Sequence, residues 1–247
     1  MLERLDYVRL APRTVLDAGS GPLREARLLA RRYPAARVVA TDFSAMMLRA
    51  GLPRFRLFGP RGVHAVCAAA ARLPLAEGSV DLLWCNMALH WFADPAAALR
   101  EFHRVLAVDG LLMLSTLGPD TLPGLREAAG AERVHAFLDM HDVGDLLVGT
   151  GFAEPVMDME RLTIVYRDGA ALLADLRASG QTAARVASRP RGLAGRRFRE
   201  SLDAALGRER GDSGLPTVFE VVYGHAWKAP LRRAADGRAI VRFERRG

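Results

Sequence analysis

The stretch Thr14-Val15-Leu16-Asp17-Ala18-Gly19-Ser20-Gly21 constrains this chain more than any other. An apolar run closes on an acid, and a glycine pair follows where a strand hands over to a helix. Glycine lets the backbone turn sharply and come close to a ligand. Val38-Val39-Ala40-Thr41-Asp42 repeats the design further on. An acid at the end of a second strand is placed to accept hydrogen bonds from two ribose hydroxyls. The two segments together predict neighbouring strands with a nucleoside held across their carboxyl ends, a Rossmann-type crevice.

The turn is not a dinucleotide fingerprint, which wants a third glycine three residues after the second. Here Gly21 is followed by Pro22-Leu23-Arg24. Pro22 suits the first turn of a helix, where its missing N–H needs no partner. It also removes one of the free N–H groups that a pyrophosphate site uses. The spacing therefore points to a nucleoside without phosphates. S-adenosylmethionine fits, with adenine, ribose and a cationic sulfonium, and Asp17 supplies a negative charge for its methionine portion. A generic strand–turn–helix is the alternative.

At 247 residues the chain can bury a sizeable core as one large domain. No stretch has the ~18 uncharged apolar residues of a membrane span. The opening Met1-Leu2-Glu3-Arg4-Leu5-Asp6 has acids and no long apolar segment, so it does not read as a secretory signal. Cys67 and Cys85 are the two cysteines, too few for a disulfide framework; both sit in apolar strand-like runs and read as buried thiols. With no Cys/His cluster, no metal site is expected. These features together read as cytoplasmic.

The net charge is +7, and Lys228 is the sole lysine among arginines. Arg185, Arg189, Arg191, Arg196, Arg197, Arg199, Arg208 and Arg210 crowd one segment, and six more arginines crowd the tail. Such clusters suit an acidic partner; a solvated helical face is the bland alternative. Phe198 is the one aromatic among the first cluster's arginines. Base stacking on nucleic acid is poorly supported, because it needs aromatic platforms.

Elsewhere strand and helix signals alternate, as in a parallel sheet with helices on both faces. Strands are expected at residues 63–67, 80–85, 111–116 (opened by an Asp109-Gly110 turn) and 161–167. A last strand at 218–228 is expected at the sheet edge, antiparallel. Helices are expected from Gly21 to Tyr33, from Ser44, from Asp94-Pro95, and from His141-Asp142 to about Gly149, with Asp142 as a candidate N-cap. Residues 168–214 read as a helical, Arg-rich insertion, and 230–247 as a basic tail with little core-forming pattern.

The order Val-Leu-Asp-Ala-Gly-Ser-Gly, Val-Ala-Thr-Asp, Arg-Leu-Pro-Leu, Ser-Val-Asp-Leu-Leu-Trp-Cys-Asn and Leu-His-Trp resembles that of class I S-adenosylmethionine methyltransferases. Downstream, Ser115 to Leu122, the Asp139-Met140-His141-Asp142-Val143-Gly144-Asp145 run, Asp175 to Gly180 and the ending Tyr223-Gly224-His225-Ala226-Trp227-Lys228 resemble the malonyl-acyl-carrier-protein O-methyltransferase family of biotin synthesis. The resemblance covers about residues 2–229. It implies an α/β Rossmann-like fold with a mostly parallel seven-stranded sheet, helices on both faces and an antiparallel last strand. It implies methylation of the free carboxylate of a malonyl thioester on acyl carrier protein. It implies cofactor contacts at Asp17, Gly19, Ser20, Gly21, Asp42, Phe43, Ala69 and Asn86, and substrate contacts at Arg177, His141 and Trp91. The family usually carries an acid at position 69 to bind the adenine amine, a further glycine after Gly21, and a helical lid segment ahead of a first strand that lies almost at the start of this chain.

A carboxylate is already ionised at neutral pH, so its methylation needs alignment and no general base. An arginine can hold it by a two-pronged contact, and Arg177 is the candidate; a surface pair with Asp175 or Glu200 is its alternative. Other readings stay open on sequence alone. They are an arginine hydroxylase or another small-carboxylate methyltransferase of the same fold, and a non-catalytic cofactor-binding or interaction protein. The acidic carrier would face the segment from Arg185 to Arg210; neither nucleic acid nor membrane is an expected partner.

Overall fold

The computed structural model describes residues 1–52, 62–181 and 195–230. Seven strands form one sheet: β1 (Thr14–Ala18), β2 (Arg37–Asp42), β3 (Val63–Cys67), β4 (Val80–Cys85), β5 (Leu106–Leu117), β6 (Ala153–Tyr166) and β7 (Leu215–Trp227). Their order is β3-β2-β1-β4-β5-β7-β6. β1 pairs in parallel with both β2 and β4, so the order reverses direction beside it. That reversal is where open α/β sheets hold their ligands.

The chain divides into two compact units. The first comprises Met1–Leu114, Gly144–Val156 and the chain from Gly224 on; the second comprises Ser115–Val143 and Met157–Tyr223.

The first unit follows from its apolar runs. Val15, Leu16, Val38, Ala40, Leu82, Leu83 and Trp84 are buried on both faces of the sheet, as near-continuous hydrophobic strands of parallel sheets must be. Helix α1 (Arg24–Arg32) buries Ala26 and Leu29, which share one helical face. In α2 (Ala45–Gly51), Ser44 accepts a hydrogen bond from the Met47 N–H at 3.4 Å and caps the helix. In α3 (Pro95–Val105), Asp94 accepts from the Ala97 N–H at 2.8 Å, and Ala98, Leu99, Phe102 and Val105 form the buried stripe. A 3-10 turn at Leu2–Tyr7 precedes β1 and buries Leu5.

The second unit holds α4 (Pro123–Ala129), α6 (Gly169–Ala178) and α7 (Arg196–Arg208); α5 (Met140–Gly149) begins in it and ends in the first. Its core is a small leucine cluster: Leu122, Leu172, Leu176, Leu202, Leu206 and Leu215. Leu172/Leu176 and Leu202/Leu206 are i,i+4 pairs, the spacing that aligns side chains on one helix face.

Three boundaries differ from the sequence reading. β5 starts at Leu106, so Asp109-Gly110 interrupts a strand instead of opening one. Asp109 takes a left-handed φ of 61°, and the register against β4 shifts between Val80 and Leu82. The pair therefore makes a bulge. β6 starts at Ala153, and most of its residues are exposed. β7 is antiparallel, but it lies between β5 and β6 rather than at the edge. Its direction follows from its bonds: the Asp109 N–H donates to Lys228 O at 2.8 Å, and the Gly118 N–H to Glu220 O at 2.9 Å. The sequence signal for an interior position is that both strand faces carry apolar residues, Val222 and Ala226 on one and Phe219 and Val221 on the other.

The family-like ending has a mechanical role. Lys228 Nζ donates to the Leu106 carbonyl at 2.8 Å and the Arg104 carbonyl at 3.4 Å, closing off the end of α3. A cation suits the negative end of a helix. No helix among the described residues is long and apolar enough to cross a membrane.

Candidate functional site

All the sequence-predicted cofactor residues lie in the first unit. Asp17 lies one residue before the end of β1 and is 1% exposed. Its Oδ2 has no hydrogen-bond partner among the described residues. Burial pushes the carboxyl up to about 8, Glu25 and Asp42 push the same way, and the Ala26 N–H opposes them. A buried acceptor left unpaired costs about 1–3 kcal/mol, more when charged. Such a group is a poor element of a resting fold and a good one for receiving a cation. Ser20 Oγ and Trp84 Nε1 are likewise buried without partners. Trp84 stands directly across from Asp17 in the β1–β4 register. Sequence reasoning missed Trp84, because a tryptophan in an apolar strand reads as core; the mismatch is only visible once its N–H is buried.

The glycine turn is built around close approach. Gly19 has φ 74°, and a Cβ there would sit 2.5 Å from the Ala88 Cβ. The N–H groups of Gly19 and Ser20 both donate to the Thr41 carbonyl, at 2.8 and 2.9 Å. Pro22 is not in the first turn of the helix: Leu23, in a left-handed conformation, is the N-cap, and α1 starts at Arg24. The chain at Pro22 passes close to α2, where Gly51 lies against the Pro22 carbonyl with no room for a side chain.

Asp42 ends β2 and is locked by two backbone donors. Its Oδ2 accepts from the Gly21 N–H at 3.0 Å and its Oδ1 from the Ser44 N–H at 2.8 Å. Each carboxylate oxygen has a second lone pair for a ribose hydroxyl. Phe43 follows with 74% of its surface exposed, beside Met46 at 80% and Met47 at 45%. An exposed aromatic at a strand end offers a stacking face for a purine. Ala69 is exposed and bridges by its backbone to Arg72, so it presents no side-chain acceptor. Asn86 is half-buried immediately after β4. Cys67 is exposed, against the expectation of burial, because it lies at the open end of β3, where its thiol donates to the Phe43 carbonyl at 3.4 Å. Cys85 is buried, and that burial pushes its thiol far up.

The predicted substrate residues are distributed otherwise. Trp91 is half-buried in a 3-10 turn of the first unit. His141, in the second, has a side chain 83% exposed, and its Nδ1 lies 2.8 Å from Asp139 Oδ1. Asp139, not Asp142, caps α5: the same Oδ1 accepts the His141 N–H at 2.8 Å, and the Asp139 carbonyl accepts that of Val143. Those bonds hold the Asp139 carboxyl below the usual carboxylate range.

Arg177, in the last turn of α6, lines a cavity of about 270 Å³ in the second unit. Leu125, Leu173, Leu176 and Leu202 form apolar walls. Neither of the carboxylates expected to neutralise Arg177 does so among the described residues. Asp175 Oδ2 accepts from the Tyr166 hydroxyl at 2.7 Å, and Glu200 accepts from Arg196 Nε at 2.8 Å. Sequence reasoning missed the cavity's second guanidinium, Arg133. Phe198 also lines it, which removes that ring from any solvent-side stacking surface.

On α7, Arg196, Arg197, Arg199 and Arg208 are exposed, as is Arg210 just beyond. Arg185, Arg189 and Arg191 and the basic tail from 231 lie outside the described residues.

Comparison with known proteins gives three results. A methyltransferase-domain family matches residues 16–114. A malonyl-acyl-carrier-protein O-methyltransferase of Laribacter hongkongensis is 50% identical over 256 residues, covering 98% of this chain and 86% of its own. Among solved structures, the YcgJ protein of Bacillus subtilis superposes with a TM-score of 0.67 at 18% identity, covering 93% of this chain and 97% of its own. Haemonchus contortus phosphoethanolamine N-methyltransferase 2, solved in complex with S-adenosyl-L-methionine, has a TM-score of 0.58 at 17% identity, over 93% of this chain and 51% of its own.

Proposed function

This chain belongs to the malonyl-acyl-carrier-protein O-methyltransferase family, and we propose that it methylates the free carboxylate of a malonyl thioester carried by acyl carrier protein, a step of biotin synthesis. Its cofactor is S-adenosyl-L-methionine. The observation that carries this reading is the buried Asp17 carboxyl, whose Oδ2 has no partner among the described residues, beside a left-handed glycine turn. It fits a cationic nucleoside cofactor and fits a pyrophosphate badly.

In this reading Asp17 and Ser20 hold the methionine portion, Asp42 takes the ribose hydroxyls, and Phe43 faces the adenine. Asn86 and the backbone at Ala69 complete the cradle. When bound, S-adenosylmethionine supplies an electrophilic methyl group on a cationic sulfur. Everything else is alignment, since the carboxylate has no proton to lose. Arg177 receives that carboxylate by two parallel N–H···O bonds; Trp91 and His141 are the other substrate contacts of this reading. The guanidinium orients the nucleophile and leaves one oxygen lone pair for the methyl. Removing the negative charge as an ester leaves an acyl end that chain-elongating enzymes treat as apolar.

The exposed arginines of α7 form the docking face for the acidic carrier, because complementary charge speeds encounter. Two free cysteines suit the reducing cytoplasm. The deciding experiment incubates the protein with malonyl-carrier protein and labelled S-adenosylmethionine. Label in a base-labile ester on the acyl group is expected. Cofactor binding by calorimetry without any transfer would replace this reading with the non-catalytic one.

A further inference from the structure

We infer that Arg133 is a second carboxylate-binding residue, sharing the malonyl group with Arg177 and setting the preference for an acyl chain that ends in a charge. The inference rests on the reading above, in which the substrate is a malonyl thioester.

Arg133 and Arg177 come from different elements, the 3-10 turn Ala131–Arg133 and helix α6, and line one cavity. Among the described residues the remaining lining is apolar except for Gln181, and no carboxylate contributes to it. Two arginines lining one space with apolar walls give an entering anion two positive charges to pair with. The volume of about 270 Å³ falls below the ~300–1,000 Å³ of sites for drug-sized ligands.

Arg133 is held for this task. Its guanidinium carbon lies 4.3 Å from the centroid of the Phe198 ring, a cation–π contact that fixes its plane and leaves its edge donors unspent. The neighbouring Glu132 is only loosely paired, at 3.9 Å. Its carboxylate lies over Gly130, where a Cβ would be 2.5 Å away. A planar fork can still present an N–H group to a carboxylate while its face rests on a ring, which a lysine ammonium cannot do.

The test uses the full chain with Arg133→Gln and Arg133→Lys. Steady-state rates are measured on malonyl-carrier protein and on a minimal malonyl thioester, and inhibition by the neutral methyl-ester product is measured alongside. With Arg133→Gln, KM is expected to rise ten- to a hundredfold for both substrates, with a smaller change in kcat. Arg133→Lys should recover part of that loss. Product inhibition and S-adenosylhomocysteine affinity should stay within about twofold of wild type, because neither ligand presents the carboxylate. Equal weakening of substrate and neutral product would make Arg133 structural and overturn the inference. A rise confined to the carrier-bound substrate would also overturn it, because the group contacted would then be the carrier or the phosphodiester of its prosthetic arm. An active wild type whose KM is unmoved by Arg133→Gln sinks this inference alone; a wild type that methylates neither substrate sinks the functional reading and this inference together.

Discussion

The two units of this chain solve the problem of a binding site in opposite ways. In the first, recognition is done by backbone geometry at the ends of buried strands. Gly19 and Ser20 converge on the Thr41 carbonyl, and Asp42 is clamped by two N–H groups. In the second, a cavity is framed by side chains from α4, α6 and α7, with two long arginines among apolar walls. A site made of backbone tolerates little change in sequence and binds one cofactor. A site made of side chains can be retuned one residue at a time, which suits the substrate role proposed for the second unit.

The comparison can be broken first at Gly19. Gly19→Val puts a β-branched residue at φ 74° with its Cβ 2.5 Å from that of Ala88. A left-handed residue costs about 1–2 kcal/mol before any clash. Loss of S-adenosylhomocysteine affinity by more than a hundredfold is expected by calorimetry, together with a lower melting temperature. Retained affinity would mean that the turn is not a backbone-built site.

Protonation of Asp17 gives the next effect. Its carboxyl rises from 3.8 to about 8 on folding. The folded protein therefore binds the proton more tightly than the unfolded chain does. The resulting stabilisation is complete below pH ~4 and is lost as pH climbs through about 8. A bound cation reverses that preference, so cofactor binding must expel the proton. Affinity for S-adenosylmethionine should rise by up to about tenfold per pH unit between pH 6 and 8. Calorimetry in buffers of different ionisation enthalpy should register close to one proton released per site at pH 7. A flat profile would put the sulfonium and ammonium away from Asp17.

Asp42→Ala should weaken S-adenosylhomocysteine binding by somewhat more than tenfold, since two ribose hydrogen bonds are lost at ~1 kcal/mol each. Circular dichroism should show the sheet intact. Unchanged affinity would remove the ribose from Asp42.

The smallest effect falls on the second unit's outer face. Replacing Arg196, Arg197 and Arg199 with Ser should raise KM for malonyl-carrier protein several-fold and spare a minimal malonyl thioester. Wild-type turnover of the carrier-bound substrate should slow with salt, because exposed charges are screened over ~8 Å at physiological ionic strength. Equal loss on both substrates would mean that α7 shapes the cavity and does not dock the carrier.

The same contrast explains what the sequence could reveal. Each element of the first unit carries its own cause within a few residues. Ser44 and Asp94 cap the helices they precede, Val63–Cys67 and Val80–Cys85 are legible as strands from their apolar runs, and Asp17 and Asp42 mark strand ends. The cavity of the second unit joins residues from 125 to 202, and no local pattern announces that Arg133 and Arg177 share a space. Arg177 was found by resemblance; Arg133 sits in a short Gly-Ala-Glu-Arg segment with no periodicity to mark it. The position of β7 escaped for a similar reason. Strand pairing across the sheet is a long-range choice, and the apolar residues on both of its faces carry meaning only once β6 is known to begin at Ala153. Pro22 misled because proline is favoured in a first helical turn, while the packing of Gly51 against its carbonyl is invisible in one dimension.

Lys228 has a practical consequence. It is the chain's sole lysine, and its ammonium is already engaged by the carbonyls of Leu106 and Arg104. Acylating reagents, imine-forming aldehydes and amine-reactive fluorophores therefore have no side-chain target on α7 or around the acyl cavity. Covalent capture at the proposed docking face is therefore better directed at other nucleophiles than lysine, such as the exposed thiol of Cys67.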